Sequence, residues 1–283
     1  MKKILLFVGI IALVSCSSLP KYVDLQSTKD ANDAMKRAQN AEAEGYYEQA
    51  QHLFDKAFGL YTSVDNLKGI IISGLAVARQ YYYLDNMEQY DEWYMKMSVI
   101  AHNNAPDFIP LLYLLQMEVA FDKEEYGRVI TLSLAVETSQ KEMQTELFSY
   151  RLLGLLKTGQ PYQNEFEKIK HNISGLRSMF KKNKLDDPKI VSYAAYTLGY
   201  ALSKEKQWGK AIEFFEVAHE YDQLIENTSG LADDVYAMGV AYENLGDTEM
   251  ALSCYIRARD MYIIINNEEM SAVTEAKIKN ILE

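Results

Sequence analysis

Tyr193, Tyr196 and Tyr200 stand at i, i+3 and i+7 in the stretch KIVSYAAYTLGYALSK, a spacing that sets three phenol rings on one face of a helix. Tyrosine is large, amphipathic and loses little freedom on contact, so such a stripe suits binding of a peptide or a ring-bearing ligand. With 21 tyrosines in the chain, some of them must also serve as core. No other reactive residue type is spaced for chemistry. His52, His102, His171 and His219 stand singly, with no second ligand at i+3 or i+4, which argues against zinc. Nucleophile elbow, phosphate loop and dinucleotide fingerprint are all missing, so the sequence predicts no enzyme, no cofactor and no metal. The paired acids Asp233-Asp234 and Glu268-Glu269 are expected at helix N-termini, where the helix dipole favours carboxylates. Lys181-Lys182-Asn183-Lys184 reads as a solvated loop, and Cys254 as a small buried hydrophobe.

Cys16 has a different setting. Lys2 and Lys3 are followed by the uncharged run ILLFVGIIALV (4–14), which has signal-peptide length and is too short to span a bilayer. Leu13-Val14-Ser15-Cys16 then resembles the lipobox of bacterial lipoprotein signal peptides. The resemblance implies cleavage before Cys16, diacylation of its thiol and usually acylation of the new amino terminus, with palmitate among the chains. Two or three acyl chains hold a protein on a bilayer durably, where one does so only marginally. A plain secretory leader that contains a cysteine is the alternative reading. Ser17 and Ser18 follow with no aspartate beside the cysteine, which by the same resemblance favours the outer membrane. The expected layout is a cleaved leader over 1–15, a lipidated N-terminus and tether over 16–30, and one domain over 31–283.

Composition agrees with a folded helical body. Hydrophobic residues make up 48% of 283 and charged residues 24%, enough for a sizeable core, and 5 prolines with 14 glycines are few for a sandwich or barrel. The formal charge of −11 becomes −13 once Lys2 and Lys3 are removed, and no basic stripe offsets it, so nucleic acid is excluded as a partner. With Cys16 acylated, Cys254 has no intramolecular partner and no disulfide framework exists.

The body repeats itself. LGYALSKEKQWGKAIEFFEVA from Leu198 aligns with MGVAYENLGDTEMALSCYIRA from Met238, 40 residues on. Gly199 and Gly239 correspond, as do Ala211 and Ala251, Phe215 and Tyr255, and Ala218 and Ala258. EGYYEQAQHLFDKA (44–57) carries the same pattern through Ala50, Phe54 and Ala57. Weaker copies follow at 85–97, with Tyr90 and Met97 in place of the alanines, and at 123–136, with Val129 at the small position. A fourth unit keeps Leu153-Gly154 and has a degenerate second helix. Six units at 39 to 41 residues cover Ala31 to Asp260, and MSAVTEAKIKNILE (270–283) reads as a capping helix with Val273, Ala276, Ile278 and Ile281 inward.

This pattern resembles the tetratricopeptide repeat, with a period about six residues longer than the family's. The resemblance implies an all-α solenoid of about six helix pairs, in which glycine on the first helix meets alanine on the second and aromatics fill the gap between pairs. It also implies a concave groove lined mainly by first helices. In the family's register the groove takes Arg79 and Tyr82, Leu114 and Glu118, and Phe148 and Arg151 from the second to fourth units. The fifth gives Tyr193, Tyr196, Tyr200 and Ser203, and the sixth Asp233, Tyr236, Val240 and Glu243. The function expected is a lipid-anchored periplasmic adaptor that binds a protein or peptide partner in this groove. The alternatives are a small-ligand-binding lipoprotein associated with a transporter, marked by a deep closed pocket, and a surface-displayed lipoprotein with a host-facing role.

Overall fold

The computed structural model describes residues 26–185 and 187–283. The lipobox, Cys16 and the tether as far as residue 25 lie outside the described residues. Thirteen α-helices and one 3-10 turn make up the secondary structure, with no strand among the described residues. The helices pair as α1 (Gln26–Ala43) with α2 (Tyr47–Thr62), α3 (Leu67–Tyr83) with α4 (Met87–Asn104), and α5 (Ile109–Asp122) with α6 (Tyr126–Leu134). They continue as α7 (Lys141–Lys157) with α8 (Gln163–Lys181), α9 (Lys189–Lys204) with α10 (Trp208–Leu224), and α11 (Thr228–Leu245) with α12 (Thr248–Ile264). A last helix, α13 (Glu268–Leu282), packs on α12. The fold is an all-α, tetratricopeptide-like solenoid of six pairs and a capping helix.

The turns explain the regularity. Most connections place a single residue in the left-handed region just after a helix, which bonds the last carbonyls, and follow it with an N-cap. At Gly45 (φ 78°), Gly159 (φ 70°) and Gly246 (φ 80°) this residue is glycine, but Asp65, Asp85, Glu124, Asn183, Lys206, Glu226 and Asn266 hold the same conformation with side chains. The next residue then caps the following helix. Asn66 accepts from Gly69 N at 3.0 Å, Asn86 from Gln89 N at 3.2 Å, Asp247 from Met250 N at 3.1 Å and Asn267 from Met270 N at 3.0 Å. The third pair breaks the scheme, because Pro106 opens a 3-10 turn before α5 and α6 is short.

The small-large-small pattern of the second helices is fully buried: Ala50, Phe54 and Ala57, then Ala211, Phe215 and Ala218, then Ala251, Tyr255 and Ala258. One packing detail differs from expectation. The large aromatic lies against the glycine of its own pair, Phe215 on Gly199 and Tyr255 on Gly239, and does not serve only as filler between pairs. In α13 the inward face is Met270, Thr274, Ile278 and Ile281, while Val273 and Ala276 are exposed. The contact with α12 thus runs at i, i+4, i+8 and i+11, a stripe in which a threonine whose hydroxyl bonds the Met270 carbonyl takes an apolar place.

The acid pairs part company. Glu268 and Glu269 occupy the first turn of α13, but Asp233-Asp234 lie in the second turn of α11, which starts earlier at Thr228. Asp234 is buried there beside buried Asp222 of α10. Asn227, at the N-cap position of α11, turns its amide to Asp222 at 2.9 Å instead of capping. Lys181 ends α8, and Lys182 to Lys184 are exposed; Cys254 is buried and free.

Candidate binding groove

First helices touch one another along the chain, α3 with α5, α5 with α7, α7 with α9 and α9 with α11. Their shared face forms a cavity of about 400 Å³, open to solvent. Every lining residue comes from a first helix: Tyr82 and Tyr83 from α3, Glu118, Phe121 and Asp122 from α5, Tyr150, Leu153 and Lys157 from α7, and Tyr193, Tyr196, Thr197 and Tyr200 from α9.

The rings link across the helices. Phe121 and Tyr150 have centroids 6.2 Å apart and Tyr150 and Tyr193 5.8 Å, while Tyr82 and Tyr83, neighbours on α3, are 5.7 Å apart. Hydroxyls and carboxylates bridge α3 and α5, as Tyr83 Oη donates to Glu118 Oε1 and Tyr82 Oη to Asp122 Oδ2, both at 2.6 Å. Burial and the bond to Asp122 push Tyr82 up to about 12. Burial also holds Tyr83, Tyr150, Tyr193 and Tyr196 far above the ordinary phenol range. Near neutral pH these phenols are neutral and keep their O–H donors.

Behind this wall Arg79 grips Glu42, Nε to Oε1 and Nη2 to Oε2 both at 2.8 Å, and stands 3.8 Å from Glu118. Glu146 lies one turn before Tyr150 on α7. Burial, then the charges of Glu118 and Asp187, push its carboxyl up to about 7 against the pull of Arg79 and Lys189.

The structure brings Tyr193, Tyr196, Tyr200, Tyr82 and Glu118 together in the cavity wall, with Arg79 supporting Glu118. Asp233 and Tyr236 sit next to this wall on α11: Asp233 accepts from Tyr262 Oη at 2.7 Å, and the Tyr236 ring lies 5.7 Å from Tyr255. Glu243 is engaged at the capping end, accepting from Tyr255 Oη at 2.5 Å and Lys277 Nζ at 2.9 Å. Arg151 is placed elsewhere. Its guanidinium turns to the Ser133 hydroxyl and carbonyl and to Glu165 at 3.7 Å, on the α6 and α8 side. Leu114 is buried, and Phe148 lies beneath Arg151 and Lys168. The lining positions of α7 are instead Tyr150, Leu153 and Lys157, at i, i+3 and i+7, a stripe visible in the sequence once α7 is placed.

Among the described residues no group of three or more His, Cys, Asp or Glu could hold a metal ion, and no helix is long and apolar enough to cross a membrane. No family model matches the chain, and no curated protein matches its sequence. Solved structures do align. The apo form of RapI superposes with a TM-score of 0.54 at 15% identity, over 90% of this chain and 70% of that one. BtubC (BKLC) from P. vanneervenii gives 0.52 at 13% identity, over 86% and 93%. PilF of Pseudomonas aeruginosa gives 0.48 at 14% identity, over 89% and 99%. At such identities the likeness concerns the fold alone.

Proposed function

We propose that this chain is a lipid-anchored adaptor of the bacterial cell envelope, fixed to the outer membrane through Cys16 and facing the periplasm. It holds a protein or peptide segment in the groove of its first helices. The observation that supports this most is the open cavity walled by aromatic rings from four consecutive repeats, tyrosines on three of them and Phe121 on α5, with hydroxyls and carboxylates among the rings. Such a surface offers contact area at low entropic cost and hydrogen bonds for an extended backbone. The apolar leader ending in Leu13-Val14-Ser15-Cys16 supports the anchor. The test is affinity capture from detergent-solubilised native membranes, wild type against a Tyr193→Ala, Tyr196→Ala, Tyr200→Ala variant of confirmed helicity. A protein recovered by the first and lost with the second supports the adaptor and its site; no captured protein at all overturns it.

A second reading draws on the cavity volume. About 400 Å³ falls within the roughly 300–1,000 Å³ typical of small-ligand pockets, which favours a ring-bearing small ligand delivered to a transporter. Native mass spectrometry of the purified protein, showing a bound small molecule, would support that reading.

A further inference from the structure

Charge around the groove is balanced. Glu42, Glu118, Asp122, Glu146 and Asp187 stand there against Arg79, Lys123, Lys157, Lys189 and Lys204. Arg79 is committed to Glu42 and Glu118. Lys123 and Lys204 already lie over the rim rings, 5.5 Å from the Tyr82 centroid and 4.8 Å from that of Tyr200. An occupant of either charge would meet as much repulsion as attraction, so the groove suits a neutral one.

Hydrogen-bonding capacity, in contrast, is lopsided. Glu118 Oε1 accepts from Tyr83 and its Oε2 faces Arg79, while Asp122 Oδ2 accepts from Tyr82. Thr197 directs its hydroxyl to the Tyr193 carbonyl at 2.9 Å. The hydroxyls of Tyr196 and Tyr200 have no hydrogen-bond partner among the described residues and stand in the wall with the Lys157 ammonium. Against these spare donors the wall's carboxylates leave one oxygen without a partner among the described residues, Asp122 Oδ1. The rest of the surface is ring faces and Leu153.

We propose that the groove selects a neutral, proline-rich segment in the polyproline II conformation. This rests on the adaptor reading and names the chemistry of its partner. An ordinary extended segment carries an N–H for every carbonyl, and those turned to this wall would find almost no acceptor. Proline brings the carbonyl alone, which can accept from Tyr196 and Tyr200, and its ring packs on aromatic faces. The conformation is also preformed, so little freedom is lost on binding. Polyproline II repeats every three residues, about 9 Å, close to the roughly 8–10 Å between packed helices. The same side of the segment therefore returns at each first helix, and about nine or ten residues cross all four.

The experiment measures fluorescence anisotropy with labelled, capped decaproline and a capped serine-glycine repeat of the same length and charge. It compares the full chain with a Tyr196→Phe, Tyr200→Phe variant, which keeps the rings and removes the two unpartnered hydroxyls, and with a Tyr46→Phe control on an exposed turn outside the cavity. Circular dichroism checks that all three are equally helical. Decaproline is expected to bind the full chain at least about ten-fold tighter than the serine-glycine repeat, to weaken about ten-fold with the groove variant and to be unaffected by the control. Raising salt from about 0.05 to about 0.5 M should change that affinity by less than about two-fold, because no charge recognises the segment. Equal binding of the two peptides, no binding of either, a groove variant that binds as the full chain does, or a steep loss with salt overturns the proline-rich segment. The adaptor reading fails separately. If membrane capture recovers a tyrosine-dependent partner that decaproline does not displace, the adaptor stands and only this partner chemistry is lost.

Discussion

Phe215 fills the space that a side chain on Gly199 would need: a methyl there would stand 2.6 Å from Phe215 Cε1 and 3.1 Å from the Ala211 carbonyl oxygen. Phe215 is almost fully buried between α9 and α11 and has no room to retreat. Gly199→Ala should therefore destabilise by about 1–3 kcal/mol through overpacking. Gly59 in α2 is the counter-case, with nothing within 4 Å of the added methyl, and Gly59→Ala should stabilise by roughly 0.5–1 kcal/mol. Urea melts of the two variants check the pair; an unchanged midpoint for Gly199→Ala would refute the close approach of these helices.

Arg79 ties the first pair to the second through its two bonds to Glu42. Lysine keeps the charge but not the fork, so Arg79→Lys should cost about 1–2 kcal/mol, and Glu42→Ala a similar amount. A double-mutant cycle with a coupling near zero would show the pair to be inert.

Stability should fall as pH rises because of Asp234. Burial, then Asp222 and Asp233, push its carboxyl up to about 9. An unfolded aspartate titrates near 3.9, so between about pH 4 and 9 the unfolded chain releases a proton that the fold retains. Below that window both states are protonated and the penalty vanishes. Asp234→Asn mimics the protonated acid and should stabilise by on the order of 1–2 kcal/mol near neutral pH, with little gain at about pH 4. Thermal melts across this range check it; a variant less stable than wild type throughout would contradict the buried acid pair.

Asn66 closes the first turn of α3 by accepting from Gly69 N at 3.0 Å. Asn66→Ala should cost about 1 kcal/mol, and Asn66→Asp far less, since aspartate keeps the acceptor. Equal losses for both would show that the cap is not the source.

Much of this was legible because the second helices write their packing in small residues: Ala211, Phe215 and Ala218 recur as Ala251, Tyr255 and Ala258. The turns were harder to read. Some of their left-handed residues, Glu124, Lys206 and Glu226, are of types that do not announce such a conformation, unlike Gly45, Gly159, Gly246 and Asn266. Asp233-Asp234 reads as an N-terminal pair only if the earlier start offered by Asn227-Thr228-Ser229 is passed over, and α11 begins there. In the groove, Tyr193, Tyr196 and Tyr200 were readable as one stripe on one helix, whereas Tyr83, Phe121 and Tyr150 become neighbours only through helix packing. A repeat longer than the family's also slides the register, which is why Phe148 and Arg151 fall outside a wall made by Tyr150 and Leu153.

A cavity built wholly from first helices separates two kinds of inheritance. Substitutions at Tyr82, Asp122 or Tyr200 can rewrite what is held, while the alanine-aromatic ladders of α2, α10 and α12 keep their small-large-small order from copy to copy. Duplicating one helix pair would lengthen the receptor by a single step and leave the older steps reading as before, so new specificity can be acquired here by addition as readily as by replacement.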